Sequence, residues 1–301
     1  MDTLSTAFTD VIKHVMALTK SSSVITEENV YQEIDENIRP YLDSMVESLL
    51  LPGSGLDGLE NLEELFAKAE SGKSCLLLPE HYSNLDLSIF TYLAGKAGGR
   101  GGDISRAIVA IAGMKLNEVN PIVSAFASAY TRIVIYPSRS FHGLDAGKDR
   151  AEIVRSNAIN RAAMKALVKI KNSGRLILLF PSGTRYRPGD PSTKRGVREV
   201  DSYIKIFDYM CPVAINGEVL HIRPGNMMDD EVSKDLVRLS VGPVLSCAEF
   251  RDRIRNDVDA RAASAPDNVP ADKKQAVADA IMEILEKMHI EGEIKRNQLL
   301  N

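Results

Sequence analysis

From residue 74 onward, short unbroken apolar runs alternate with longer stretches of helical periodicity, and that alternation limits the fold more than any other feature of the chain. Residues 75–78, 107–112, 133–136, 176–180 and 212–215 are apolar runs of strand length. A strand reads this way when both of its faces are buried. Helix-like patterns lie between them, at 85–93, 120–130, 150–171 and 200–210. The alternation predicts an α/β fold with a mixed, largely parallel sheet flanked by helices. Residues 236–241 add a strand and 248–260 and 272–295 read as closing helices. Residues 262–271, with Pro266 and Pro270, read as the linker between those two helices.

The first 70 residues carry a different pattern. Phe8, Val11, Ile12, Val15, Met16 and Leu18 recur at helical spacing. Val30, Ile34, Ile38, Leu42, Val46 and Leu49 form a second stripe, closed by Pro52-Gly53-Ser54-Gly55, and residues 59–69 make a third helix. With no strand pattern here, the expected organisation is a small helical N-terminal subdomain over 1–70 and an α/β catalytic domain over 71–301. Residues 53–58 fit G-x-G-x-x-G, but they follow a helix pattern and not a strand, so they read as a turn.

Composition narrows the function. With 44% hydrophobic and 26% charged residues, the 301-residue chain can bury a sizeable core. Its 37 basic and 41 acidic residues exclude a nucleic-acid binder that relies on bulk positive charge, so any anion site must be local. Cys75, Cys211 and Cys247 are far apart and lack metal-ligand spacing, so no metal is expected and a reduced, cytoplasmic chain is the plain reading. No apolar window reaches the length of a membrane span, and the N-terminus lacks the pattern of a signal peptide. Lipid, if handled, is met from the aqueous side or by peripheral contact with a membrane.

Three strand ends carry the chemistry. After the run at 75–78 come His81 and, five residues later, Asp86. An imidazole accepts an alcohol proton near neutral pH, and a carboxylate on its other nitrogen fixes the tautomer. After the run at 176–180 come Pro181-Ser182-Gly183-Thr184-Arg185-Tyr186-Arg187. Small residues such as Ser182 and Gly183 let backbone N–H groups face an anion, and two guanidinium forks two residues apart suit a phosphate. The run at 133–136 leads to Arg139, which would complete the phosphate site with His142 close by. Together they supply a base and an anion clamp, with room for a hydroxyl between them.

These residues resemble a known family. His81-x4-Asp86 is similar to the HX4D signature of the glycerolipid acyltransferase superfamily, Phe180 to Arg185 resembles its Phe-Pro-Glu-Gly-Thr-Arg block, and residues 136–139 resemble its block ending in Arg. Ser182 stands where that block commonly has Glu. Residues 181–193 resemble the soluble, plastid-type glycerol-3-phosphate acyltransferases most. The resemblance implies a cofactor-free enzyme of phospholipid biosynthesis. It would pass a fatty acyl group from acyl carrier protein or coenzyme A to glycerol 3-phosphate, or to 1-acylglycerol 3-phosphate (lysophosphatidate). Less specific readings of the same residues are a non-catalytic lipid- or phosphate-binding protein and a serine hydrolase using Ser83.

Overall fold

The computed structural model describes residues 2–19, 24–114, 120–137, 140, 145, 147–223, 227–264 and 272–301. The chain opens with α1 (Leu4–Ala7) and α2 (Thr9–Leu18), then β1 (Tyr31–Gln32), α3 (Arg39–Leu49), β2 (Gly55–Asp57) and α4 (Leu59–Glu70). The α/β alternation follows with β3 (Cys75–Pro79), α5 (Asp86–Lys96), α6 (Gly101–Ala107), β4 (Ile108–Gly113), α7 (Pro121–Ala127), β5 (Arg132–Ile135), α8 (Arg150–Ile170), β6 (Leu176–Leu178), α9 (Val200–Ile206) and β7 (Tyr209–Asn216). Short strands β8 (Leu220–His221), β9 (Glu231–Val232), β10 (Arg238–Val241) and β11 (Leu245–Ser246) precede α10 (Cys247–Ser264) and α11 (Lys273–Leu300).

One nine-stranded sheet organises the fold, in the order β1-β5-β4-β6-β3-β7-β10-β2, with β11 also on β7, while β8 and β9 pair with each other in a separate sheet. The five strands from β5 to β7 pair in parallel, while β10 and β11 run antiparallel to β7. This is the mixed, largely parallel α/β architecture that the apolar runs predict. Alternate residues of β3 enter different cores: Cys75 and Leu77 pack beneath α3, α4 and α5, whereas Leu76 and Leu78 pack against α8, α9 and α11. Helices on both faces explain why the central strands are apolar without a break.

The N-terminal stretch differs from its sequence reading. It is mainly helical, but it also supplies both edge strands of the sheet: β1 beside β5 and β2 beside β10. Two or three residues are too few to display a strand period, which is why these were missed. The turn expected at 53–58 contains β2. The helix expected from Val30 begins only at Arg39, with Pro40 in its first turn. Proline has no N–H to give an upstream carbonyl, so it opens a helix well and does not continue one.

The last helix lies close on the sheet, and Gly292 marks the contact. A Cβ there would sit 2.1 Å from Asn216 Oδ1 at the end of β7. Glycine to alanine in a helix ordinarily gains about 1 kcal/mol. Here the sign should reverse: G292A should lose about 1–3 kcal/mol through overpacking, read as a lower Tm in thermal unfolding.

Candidate active site

The site lies at the carboxyl ends of β3 and β6, where α/β sheets place ligands. Leaving β3, the chain runs through Glu80 to His81 and turns into α5, whose first residue is Asp86. The Asp86 carboxylate is 3% exposed and folds back over this turn. Its Oδ2 accepts hydrogen bonds from Tyr82 N at 2.6 Å, Ser83 N at 2.9 Å and His81 Nδ1 at 2.9 Å, and its Oδ1 accepts from Ser83 Oγ at 2.7 Å. A carboxylate in the first turn of a helix also sits in the favourable field of the helix N-terminus.

An ionised carboxylate only accepts, so the proton of His81 is on Nδ1 and Nε2 carries the free lone pair. Nε2 makes no hydrogen bond among the described residues. The imidazole side chain is 17% exposed and stacks on Phe180 at a centroid distance of 3.9 Å and 16°. One ring edge is thus pinned, one face is covered and the basic nitrogen is left available.

The loop after β6 is fastened to the same place. Tyr186 N donates to the His81 carbonyl at 2.7 Å, and the Tyr82 and Tyr186 rings meet edge to face at 6.0 Å. Gly183 has φ +63, a left-handed conformation suited to glycine, and its N–H closes a turn onto Phe180 O at 3.0 Å. Ser182 is buried, and its hydroxyl donates to Thr184 O at 2.7 Å. These two residues shape the turn, within which the Gly183 N–H donates to Phe180 O.

The two arginines of this loop have different surroundings. Arg185 Nη1 donates to Asp230 Oδ2 at 2.7 Å, with side chains only 13% and 1% exposed. Its charge is balanced by a buried partner that the sequence reading did not foresee, and the guanidinium retains further N–H donors. Arg187 is exposed; its backbone N–H donates to Thr193 Oγ1 at 2.9 Å, and its guanidinium has no ion pair among the described residues. Arg139 and His142, assigned to the same anion site, lie outside the described residues.

The three cysteines and Ser83 are not poised as nucleophiles. Burial pushes the Cys75 thiol up to about 12, and burial likewise raises Cys211 and Cys247, so these thiols stay protonated. Ser83 is buried with its hydroxyl bound to Asp86. Among the described residues no group of three or more His, Cys, Asp or Glu is placed to hold a metal ion, and no helix is long and apolar enough to cross a membrane.

Residues 56–216, just over half of the chain, match the family model described as Acyltransferase. The chain belongs to the acyltransferase family. A search of the curated proteins gives no match. The matched segment of the acyltransferase runs from β2 to the last residue of β7, so it contains His81, Asp86 and the 180–187 loop. Asp230, which neutralises Arg185, lies beyond it.

One neighbour of the site was invisible in the sequence. His289 on α11 is 209 positions from Glu80, yet its Nδ1 lies 2.9 Å from Glu80 Oε2. Read from the sequence, His289 had no identifiable partner. Glu80 carries no spacing signal either, because its partners are set by the crossing of α11 over the end of β3.

Proposed function

We propose that this acyltransferase moves a fatty acyl group from a thioester of acyl carrier protein or coenzyme A to a hydroxyl of glycerol 3-phosphate, as the plastid-type soluble enzymes do. The observation that carries this reading is the His81–Asp86 pair at 2.9 Å, tied through the His81 carbonyl to the loop that bears Arg185 and Arg187. His81 Nε2 takes the proton of the acceptor hydroxyl as its oxygen attacks the thioester carbonyl. Asp86 stabilises the imidazolium that forms. When the tetrahedral intermediate collapses, the carbon–sulfur bond breaks and the imidazolium returns the proton to the departing thiolate. No acyl-enzyme is required, which agrees with the protonated thiols and the buried Ser83.

Arg187, exposed and without an ion pair among the described residues, meets the acceptor phosphate, with the remaining donors of Arg185 beside it in sequence and Arg139 and His142 as further candidates. Holding the phosphate places the hydroxyl near Nε2. R187A should raise KM for the phosphate-bearing acceptor by about 10–100-fold, the loss of one charge-assisted contact, with little change in kcat. A change confined to the KM of the acyl donor would remove Arg187 from the clamp. The assay that tests the whole reading follows thiol release from acyl carrier protein and coenzyme A thioesters with glycerol 3-phosphate and 1-acylglycerol 3-phosphate side by side. Fastest release with glycerol 3-phosphate supports it. Preference for the 1-acyl compound would move the enzyme one acylation later, and acyl release to water alone would overturn it.

A further inference from the structure

The two residues that flank the catalytic histidine in sequence are held by a helix outside the matched segment. Glu80 is buried, at 3% exposure. Its Oε2 accepts from Ile215 N at 2.9 Å and lies 2.9 Å from His289 Nδ1; its Oε1 accepts from Tyr82 Oη at 2.9 Å. Tyr82 Oη is also 3.3 Å from His289 Nδ1, and the rings of Tyr82 and His289 lie 5.5 Å apart. Glu80 and Tyr82 thus meet each other and His289, while the residue between them pairs with Asp86. Tyr82 extends the connection, since its own N–H donates to Asp86 Oδ2.

Helix α11 also braces the second loop. Lys194 pairs with Glu286, Arg198 with Asp272 at 3.1 Å, and Gln275 Nε2 donates to Gly196 O at 2.9 Å. The helix is seated on the sheet by Asn216 Nδ2, which donates to the His289 carbonyl at 2.9 Å and to Glu293 at 3.1 Å.

We propose that His289 is a positioning residue for acyl transfer: with Glu80 and Tyr82 it forms a proton-linked clasp that holds the His81 turn in its working geometry. The inference rests on the acyl-transfer reading of His81 above. Among the described residues, the charged and titratable groups facing His289 are Glu80 and Tyr82 from the His81 turn, Lys194 from the loop after β6 and Glu286 on its own helix. Burial by itself would lower the His289 pKa, but the hydrogen bond and charge of Glu80 outweigh it, Glu286 adds to them against Lys194, and the net displacement is upward. Burial, reinforced by Glu80, pushes the Tyr82 phenol far up, so Tyr82 remains a donor.

The direction of the pH effect follows. A raised imidazole contributes its full stabilisation below about pH 6.5 and loses it as pH rises through the raised value. Protonated His289 faces Glu80 at the low end. At the high end the charge on His289 is gone and only the hydrogen bond of its neutral ring remains, so the clasp loosens.

The test compares H289A and H289Q with the wild-type chain. H289A should lower kcat by about tenfold, with acceptor KM within about twofold, a loss confined to chemistry and not to binding. The ratio of wild-type to H289A kcat should shrink as pH rises through the His289 titration. H289Q, which can still give Glu80 a neutral N–H, should behave at every pH as the wild type does on the alkaline side. A ratio that stays flat with pH means that His289 is structural packing only and overturns the proposal. Hydrogen exchange of the 80–86 backbone, faster in H289A than in wild type on the acid side, needs no acceptor. If exchange responds but no acceptor is acylated, the clasp stands and the substrate reading falls. If transfer proceeds while exchange and the pH ratio are unchanged, the clasp falls and the substrate reading stands.

Discussion

H81A should remove at least about 10²–10⁴-fold of kcat, the ordinary contribution of a positioned base, and leave acceptor KM close to wild type. On the proposed mechanism the loss falls in kcat, because His81 would meet the substrate proton only as the carbon–oxygen bond forms, whereas the phosphate would be held by other residues. Stability should change little. The imidazole is partly exposed and its removal leaves Asp86 with three of its four hydrogen bonds, from Tyr82 N, Ser83 N and Ser83 Oγ. Steady-state kinetics paired with thermal unfolding tests both halves of the expectation. Turnover near the wild-type rate in a folded H81A chain would remove His81 from the mechanism, and with it the case for base-assisted transfer.

The second large effect is at Asp86, and it should touch both rate and stability. D86N keeps the side-chain volume but leaves one oxygen where two now accept four donors. At least one buried donor loses its partner, at a cost of about 1–3 kcal/mol. Because Tyr82 N, Ser83 N and His81 Nδ1 all donate to Oδ2, the amide oxygen takes that place and the His81 tautomer is kept, while the Ser83 hydroxyl loses its acceptor. What D86N removes from the reaction is the carboxylate charge that stabilises the imidazolium, so the loss should appear in kcat. The H81A/D86N double variant should be no slower than H81A alone, because Asp86 acts on the reaction through the imidazole. A further large loss in the double variant would give Asp86 a separate role. The Tm should fall in D86N and stay lower in the double variant, since the Tyr82 and Ser83 donors depend on Asp86 whether or not His81 is present.

The α/β class, the strand-end position of the site and the His81–Asp86 pair were all legible in the residues. Each is a local property: a buried strand of a parallel sheet is apolar throughout, and a His and an Asp five apart can close one turn at the start of a helix. The family match over 56–216 covers the same stretch. The short strands were not legible, because two or three residues have no period and are strands only where the edge of an existing sheet receives them.

The two arginines of the 180–187 loop show where local reasoning stops. Spacing puts Arg185 and Arg187 near each other, but it cannot say that Asp230, 45 positions away, neutralises the first and leaves the second exposed. Gly183 and Ser182 were recognised as turn residues with N–H groups for an anion, yet which carbonyl the Gly183 N–H meets depends on how the loop folds on itself.

Sequence alone determined the layered fold and the pairing of His81 with Asp86, because periodicity and short spacings are set by bonds along the chain. Tertiary structure alone decided that Arg185 is paired with Asp230, what covers the imidazole ring, and that His289 reaches across from the last helix to the residues on either side of His81. Those contacts arise where separate elements cross, and burial there gives a charge or hydrogen bond a strength that no spacing along the chain encodes.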